Sequence, residues 1–290
     1  PPEIGTPKGP SPIDLPELRA AELTLPEIRA LPDQFAKTAM RAESLGFRGV
    51  QIHAAHGFLL SQFLSPLFNR RTDAYGGDIR GRMRLLLEVV EAVRGSVSRS
   101  FVVALKLNSS DQLTGGLVPE DSLSVIEALE GRGLDLIDIS GGTYFPGAPS
   151  SSDSPSEGPY FIEFAQTARQ MTRVPLMATG GFKRRDQAEA AISGGAVELV
   201  GLARAFVLDP SLPKTWQSGG PDPLFPHFAS APPGAVTAWF TMRLTEIGED
   251  RECEFEPDAV AALRQYEARD TARASLWTDI FGTRRHSCDG

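Results

Sequence analysis

At 290 residues, 41% hydrophobic and 23% charged, the chain is long enough for one large domain or two small ones with a sizeable core. Its formal net charge of −8 argues against nucleic acid as a partner, because a phosphate backbone requires clustered Lys and Arg. Two cysteines, Cys253 and Cys288, make neither a disulfide framework nor a metal-ligand spacing, and no apolar stretch reaches the roughly 18 residues that span a bilayer.

Residues 1–23 read as an extended, mobile lead-in, because Pro1, Pro2, Pro7, Pro10, Pro12 and Pro16 prevent helix. The segment has no apolar core of a secretory signal, so the expected compartment is the cytoplasm. Thr24-x-x-Glu27 with Pro26 forms a capping-box pattern that predicts a short helix. Pro32 is expected to interrupt it, and Asp33 to cap a second helix with Phe35, Ala39 and Met40 on its apolar face, ending at Leu45-Gly46. The first strand is expected over 49–54. A polar, turn-rich segment, Asn69 to Gly77, separates it from a strong helix over 79–94.

The same theme then repeats. Strands are expected over 101–107, 134–140, 174–178 and 197–201, and helices from about Asp121, around 160–171 and over 186–192. Five strands alternating with helices predict a parallel sheet, either doubly wound or a (β/α) barrel. Polar and glycine residues gather at the strands' C-terminal ends: His53 and His56, Lys106 and Asn108, Gly141 and Gly142, Gly180 and Gly181, Arg204. In either architecture that edge binds ligands. The loop 141–159 has the composition of a lid or a disordered segment, and 209–235 reads as a boundary. Beyond it, Val236, Trp239, Phe240, Leu244 and Ile247 mark one helix face, and a second helix starts near Asp258 with Val260 and Leu263 together. The expected domains are a lead-in (1–23), a partial (β/α) barrel (24–235) and a C-terminal helical extension (236–290).

His53-x-x-His56 admits three readings: a zinc pair, two buried and satisfied histidines, or an anion- or carbonyl-binding pair at a pocket mouth. Strict alternation puts residues i and i+3 on opposite faces, so convergence of the rings requires the strand to end near Ala54, with Gly57 making the turn. Gly180-Gly181, with Arg204 after the next strand, suggests a phosphate site of backbone N–H groups and a guanidinium fork, although Gly-Gly is also a common tight turn. Lys106 reads equally as a donor to an electron-rich ring or a solvated rim charge. Asn69-Arg70-Arg71-Thr72-Asp73 with Gly76-Gly77 and Arg82 reads as a surface charge run with a tight turn.

The segment GFRGVQIHAAHGFLLSQFLSPLFNRRTDAYGGDIRGRMRLLLEVVEAVR, residues 46–94, resembles the signature region of the old yellow enzyme family of FMN-dependent NAD(P)H:flavin oxidoreductases. The likeness continues more loosely through SGG at 140–142, ATGG at 178–181 and VGLARAFVLDP at 200–210, and covers about residues 24–250. It implies an eight-stranded (β/α) barrel with FMN at its C-terminal face and NADH or NADPH as reductant. By position, His53 and His56 would bind the oxygen of a small α,β-unsaturated carbonyl substrate, Lys106 would contact the flavin's N1/O2 edge, and Gly180, Gly181, Ala203 and Arg204 would hold the phosphate.

Three departures qualify what the resemblance implies. The family's proton-donating tyrosine, two residues after the second histidine, is Phe58 here, which has no acidic proton. Water or another tyrosine must then protonate the substrate, and Tyr144 is a candidate; a flavin-dependent isomerase or an atypical reductase is the alternative activity. Lys106 stands where the family usually has Arg, and Ala203 where Gly usually precedes the phosphate-binding Arg. The recognisable likeness also begins at the family's fourth strand, and five strands cannot close an eight-stranded barrel. The chain is then expected to be a fragment, a homo-oligomer in which another copy supplies strands, or an open sheet with impaired flavin binding, at the extreme a non-catalytic remnant.

Overall fold

The prolines that exclude helix from the N-terminal segment leave its backbone free to pair. In the computed structural model, which describes residues 6–15, 18–145, 158–228, 231–255 and 258–281, strands β1 (Lys8–Gly9), β2 (Ile13–Leu15) and β3 (Leu18–Glu22) form a small sheet in the order β1-β3-β2. The expected lead-in is thus extended, and its described part is hydrogen-bonded. Two arginines from the turn-rich segment fasten it. Arg70 donates its N–H to Ser11 Oγ (2.9 Å) and its guanidinium to the Pro12 carbonyl (2.6 Å). Arg71 donates to the carbonyls of Pro10 (2.9 Å) and Leu23 (2.8 Å) and to Glu22 Oε1 (2.8 Å). The Arg71 side chain is only 6% exposed, so this run is not the surface charge run its sequence suggests.

Helix α1 (Leu25–Ser44) starts at the expected capping box: Thr24 Oγ1 accepts from the Glu27 N–H (3.4 Å), and Glu27 Oε2 accepts from the Thr24 N–H (2.8 Å). The expected break at Pro32 does not occur. A mid-helix proline costs about 3 kcal/mol, but the packed stripe of Ile28, Ala36 and Ala39 continues across it and offsets the penalty. Ala36 thus replaces Met40 in the expected face, Met40 being 51% exposed. Asp33 does not cap a second helix and instead pairs with Lys37 one turn on, at 2.6 Å.

The apolar runs between 49 and 201 form five parallel strands in chain order: β4 (Gly49–Ala54), β5 (Val102–Asn108), β6 (Leu136–Ser140), β7 (Leu176–Thr179) and β8 (Leu199–Gly201). Between them come α2 (Leu59–Leu64), α3 (Ile79–Arg82), α4 (Arg84–Ser96), α5 (Pro119–Leu129), α6 (Ile162–Arg169) and α7 (Arg185–Ser193). This is a partial (β/α) barrel, with one sheet neighbour each for the outer strands β4 and β8. Period-2 alternation sorts its side chains. Ile52, Val103, Leu105, Leu107, Ile137, Ile139, Leu176 and Ala178 are buried, whereas Gln51, His53, Lys106, Asp138 and Thr179 occupy the alternate positions. The register sets His53 beside Lys106 and Lys106 beside Asp138.

The chain divides into two compact units, Thr6–Leu202, just described, and Ala203–Gly290. The second holds α8 (Arg204–Leu208), α9 (Leu212–Gln217), α10 (Ala235–Gly248) and α11 (Ala259–Phe281). Its core is Val207, Trp239, Phe240 and Ala262, joined by Phe228, Val236, Ile247 and Phe255. Of the faces expected here, Leu244 and Val260 are instead exposed, and Ala259 and Ala262 supply the buried positions of α11. Among the described residues no helix is long and apolar enough to cross a membrane. Most of the expected lid, residues 146–157, lies outside the described residues.

Candidate functional site

Strand β4 ends where the convergence of the two histidines requires. Ala54 and Ala55 are fully buried, and His56 and Gly57 both adopt left-handed backbone conformations (φ 61° and 79°). Two successive left-handed residues break the alternation and turn the chain into α2, an arrangement in which a histidine is unusual and a glycine is favoured. Gly57 is required twice over, because a Cβ there would lie 2.3 Å from Thr143 Oγ1. The result is a ring pair: His53 and His56 centroids stand 5.3 Å apart, at 77°.

The loop after β6 holds this turn in place. The His56 N–H donates to Asn108 Oδ1 (3.2 Å), and fully buried Asn108 donates in turn to the Gly142 carbonyl (2.8 Å) and Asp111 Oδ1 (3.1 Å). The Tyr144 N–H donates to the His56 carbonyl (3.2 Å), and His56 Nε2 lies 2.8 Å from Ser140 Oγ. His53 Nδ1 accepts from the Ala55 N–H (3.2 Å), which places the ring proton on Nε2 and leaves that N–H available to an incoming oxygen.

The protonated form of both rings is disfavoured. Burial pushes His56 down to about 4, with the charges of Lys106 and His53 adding to the effect; burial, then Lys106, lowers His53 as well. Because the folded His56 binds its proton later than the unfolded chain does, its contribution to stability is present above about 6.5 and is lost as pH falls towards about 4. Urea midpoints measured across that window should fall with pH, and H56Q should flatten the slope. An unchanged slope would refute the assigned burial effect.

Lys106 is neither a solvated rim charge nor an isolated cation. Its side chain is 13% exposed, and Nζ donates to Asp138 Oδ2 at 2.5 Å. Asp138 also accepts from Gln51 Nε2 (3.2 Å) and Thr179 Oγ1 (2.7 Å). One buried carboxylate thus ties together side chains from four strands, β4 to β7. Asp138 was not singled out from sequence, although a lone carboxylate inside the apolar run LIDIS must find partners when buried, and that signal was available. Ser140, Thr179 and Gln51 were likewise legible only as alternate positions on their strands.

At Gly180 and Gly181 the backbone has positive φ (131° and 82°), and a Cβ at Gly181 would lie 2.3 Å from the Gly158 carbonyl oxygen. The N–H groups of Gly181 and Phe182 find no acceptor among the described residues. Ala203 and Arg204 belong to the second unit, where Ala203 precedes α8 and the Arg204 guanidinium lies 5.0 Å over the Phe240 ring. Phe58 is half exposed, with its ring 4.7 Å from His53 and 5.9 Å from Tyr144, and Tyr144 in turn lies 5.7 Å from His56.

Residues 6–222 match the profile of the NADH:flavin oxidoreductase / NADH oxidase family, so the match starts before residue 24, where the resemblance becomes recognisable by eye. The chain is 41% identical over 203 residues to the NADH-dependent flavin oxidoreductase iliE of Hypocrea jecorina (strain QM6a), an alignment covering 67% of this chain and 50% of that protein. Among solved structures it resembles 2-naphthoyl-CoA reductase in complex with 2-naphthoyl-CoA (TM-score 0.70, 26% identity, 74% of this chain and 33% of that one). It also resembles the old yellow enzyme homologue from Zymomonas mobilis (TM-score 0.64, 26% identity, 75% of this chain and 62% of that one). The chain spans about half the length, or less, of the curated relatives it matches first.

Proposed function

Because the chain belongs to the NADH:flavin oxidoreductase / NADH oxidase family, we propose that it is a flavin-dependent NAD(P)H oxidoreductase that reduces activated alkenes such as enones at the C-terminal end of its parallel sheet. The observation that carries this reading is the histidine pair, ring centroids 5.3 Å apart, with no partner for the His53 Nε2 proton among the described residues.

The residues present suit FMN, the cofactor typical of the family. A Gly-Gly turn with two unpartnered N–H groups is a donor set for a phosphate, and Lys106 is a cation at the sheet's ligand end. When bound there, FMN reduced by NADH or NADPH would supply hydride to the alkene's β carbon. His53 and His56 would donate to the substrate's carbonyl oxygen, polarising the conjugated alkene and holding the enolate oxygen as charge collects on it. A neutral imidazole suits this task, since it keeps one N–H to give; on His56 that is the Nδ1–H when Nε2 accepts from Ser140 Oγ. Asp138 would fix the Lys106 ammonium at the flavin's N1/O2 edge, where negative charge gathers on reduction.

The open outer edges of β4 and β8 favour one second reading, in which the chain holds FMN too weakly to act by itself. A single measurement decides between them: the chain is incubated with FMN, desalted, and its visible spectrum recorded. Retained flavin absorbance that bleaches with NADH or NADPH and returns on adding an enone is the expected result. A colourless protein after desalting would overturn the catalytic reading.

A further inference from the structure

The proton that Phe58 lacks has another source within the same ring cluster. Four rings lie together at the end of β4: His53 touches His56 and Phe58, and Tyr144 touches both His56 (5.7 Å) and Phe58 (5.9 Å), edge-on in each case. Tyr144 is held there by backbone as well as side chain. Its N–H donates to the His56 carbonyl, and Thr143 forms a parallel bridge with His56. The Thr143 hydroxyl fills the space that a side chain at position 57 would need. The loop after β6 is therefore fitted to the histidine turn and carries the tyrosine with it. Tyr144 is 79% exposed, and its hydroxyl makes no hydrogen bond among the described residues, so it is free to meet a ligand.

We propose that Tyr144 is a catalytic residue that delivers the proton to the substrate's α carbon, in place of the hydroxyl that Phe58 does not have. The proposal rests on the enone reading of the histidine pair. In the reaction, the β carbon receives the hydride that reduced flavin supplies, and the alkene's π pair becomes the electron pair of the enolate. That pair takes the phenol proton at the α carbon, the phenol O–H bond breaks, and the phenolate recovers a proton from water. Two electrons leave the flavin, and the alkene gains one hydride and one proton.

By the reverse of that step, the Tyr144 phenolate can take an α proton from a saturated ketone bound to the two histidines, and the phenol, exchanged with solvent, returns a deuteron, a reaction that needs no reductant. The test is therefore α-deuteration of cyclohexanone in D2O, followed by NMR, on the wild-type chain, on Y144F, on F58Y, and on the double variant F58Y/Y144F. Exchange is run with and without added FMN, and flavin retention is recorded separately. Y144F removes one exposed oxygen atom, and its melting curve is expected to superimpose on that of the wild type. Exchange, and single-turnover enone reduction where flavin is retained, should fall by about 10²–10⁴-fold in Y144F. The rate at which NADH or NADPH bleaches the flavin should not change. F58Y should restore the rate in the double variant F58Y/Y144F. Wild-type exchange no faster than buffer, or Y144F exchange within about twofold of wild type, overturns the assignment of Tyr144. Loss of flavin on desalting, with exchange still dependent on Tyr144, would instead overturn only the oxidoreductase reading.

Discussion

Alanine at His53 or at His56 is expected to slow enone reduction by about 10²–10³-fold while leaving reduction of the flavin by NADH or NADPH unchanged. The reason for the magnitude is where the charge develops. An enolate oxygen forming between two fixed N–H donors is stabilised far more than the starting carbonyl, so the donors act chiefly on the transition state. The two positions should not behave identically. His53 has its tautomer set by the Ala55 N–H, whereas His56 shares Nε2 with Ser140 and its backbone with Asn108 and Tyr144. H53A should therefore remove a donor and little else, whereas H56A should also loosen the loop after β6 and lower thermal stability. Stopped-flow measurement of the two half-reactions separates the effects. Equal slowing of both half-reactions by H53A would mean that His53 serves the flavin and not the substrate oxygen.

The largest expected effect on stability comes from Arg71. R71M should lower the free energy of unfolding by about 3–5 kcal/mol, measured by urea denaturation with the wild-type m-value as reference. The guanidinium is 6% exposed and bonds Asp73 through Nε (3.1 Å) and Nη2 (2.6 Å), beside the Glu22 carboxylate and the carbonyls of Pro10 and Leu23. Asp73 answers the pairing: its hydrogen bond with Arg71 holds its carboxyl below the usual range, and the same contact raises the guanidinium. Removing the cation leaves two carboxylates and two carbonyls without their partner in a half-buried setting, which is costlier than losing a surface ion pair. Limited proteolysis should cut the β1–β3 segment first in the variant, since that segment loses three of its anchoring bonds. A loss below about 1 kcal/mol would place Arg71 among ordinary surface pairs.

Much of the architecture was legible because it is written in local spacing. The strand over 49–54, the capping box at Thr24 and Glu27, and the helix ends at glycines each depend on residues a few positions apart, and they stand where expected. The misreadings share a cause. Pro32 reads as a break because the local cost of a mid-helix proline is visible in the sequence, whereas the packing of Ile28, Ala36 and Ala39 that outweighs it is not. Periodicity alone puts Met40, Leu244 and Val260 on buried faces. A face some 100° wide can be rotated by one residue without changing the pattern, and alanines at 36, 259 and 262 fill the close contacts instead.

The candidate site divides in the same way. The residue types at the C-terminal ends of the strands, the His53-x-x-His56 spacing and the substitution of Phe58 for tyrosine are facts of the sequence, and they sufficed to identify the family resemblance. Which groups those residues meet is a tertiary matter. Lys106 finds Asp138 across 32 positions of chain, and His56 finds Ser140 across 84. Neither pairing leaves a trace in local periodicity, because a hydrogen bond between strands depends on sheet order and register. The left-handed turn at His56, the burial that keeps its ring neutral, and the approach of Tyr144 to Phe58 follow from the same long-range packing. The sequence determined that two histidines stand three residues apart at a strand end with no tyrosine two residues on; only the folded chain, by fitting the loop after β6 against that turn, set the Tyr144 ring 5.7 Å from His56 and 5.9 Å from Phe58.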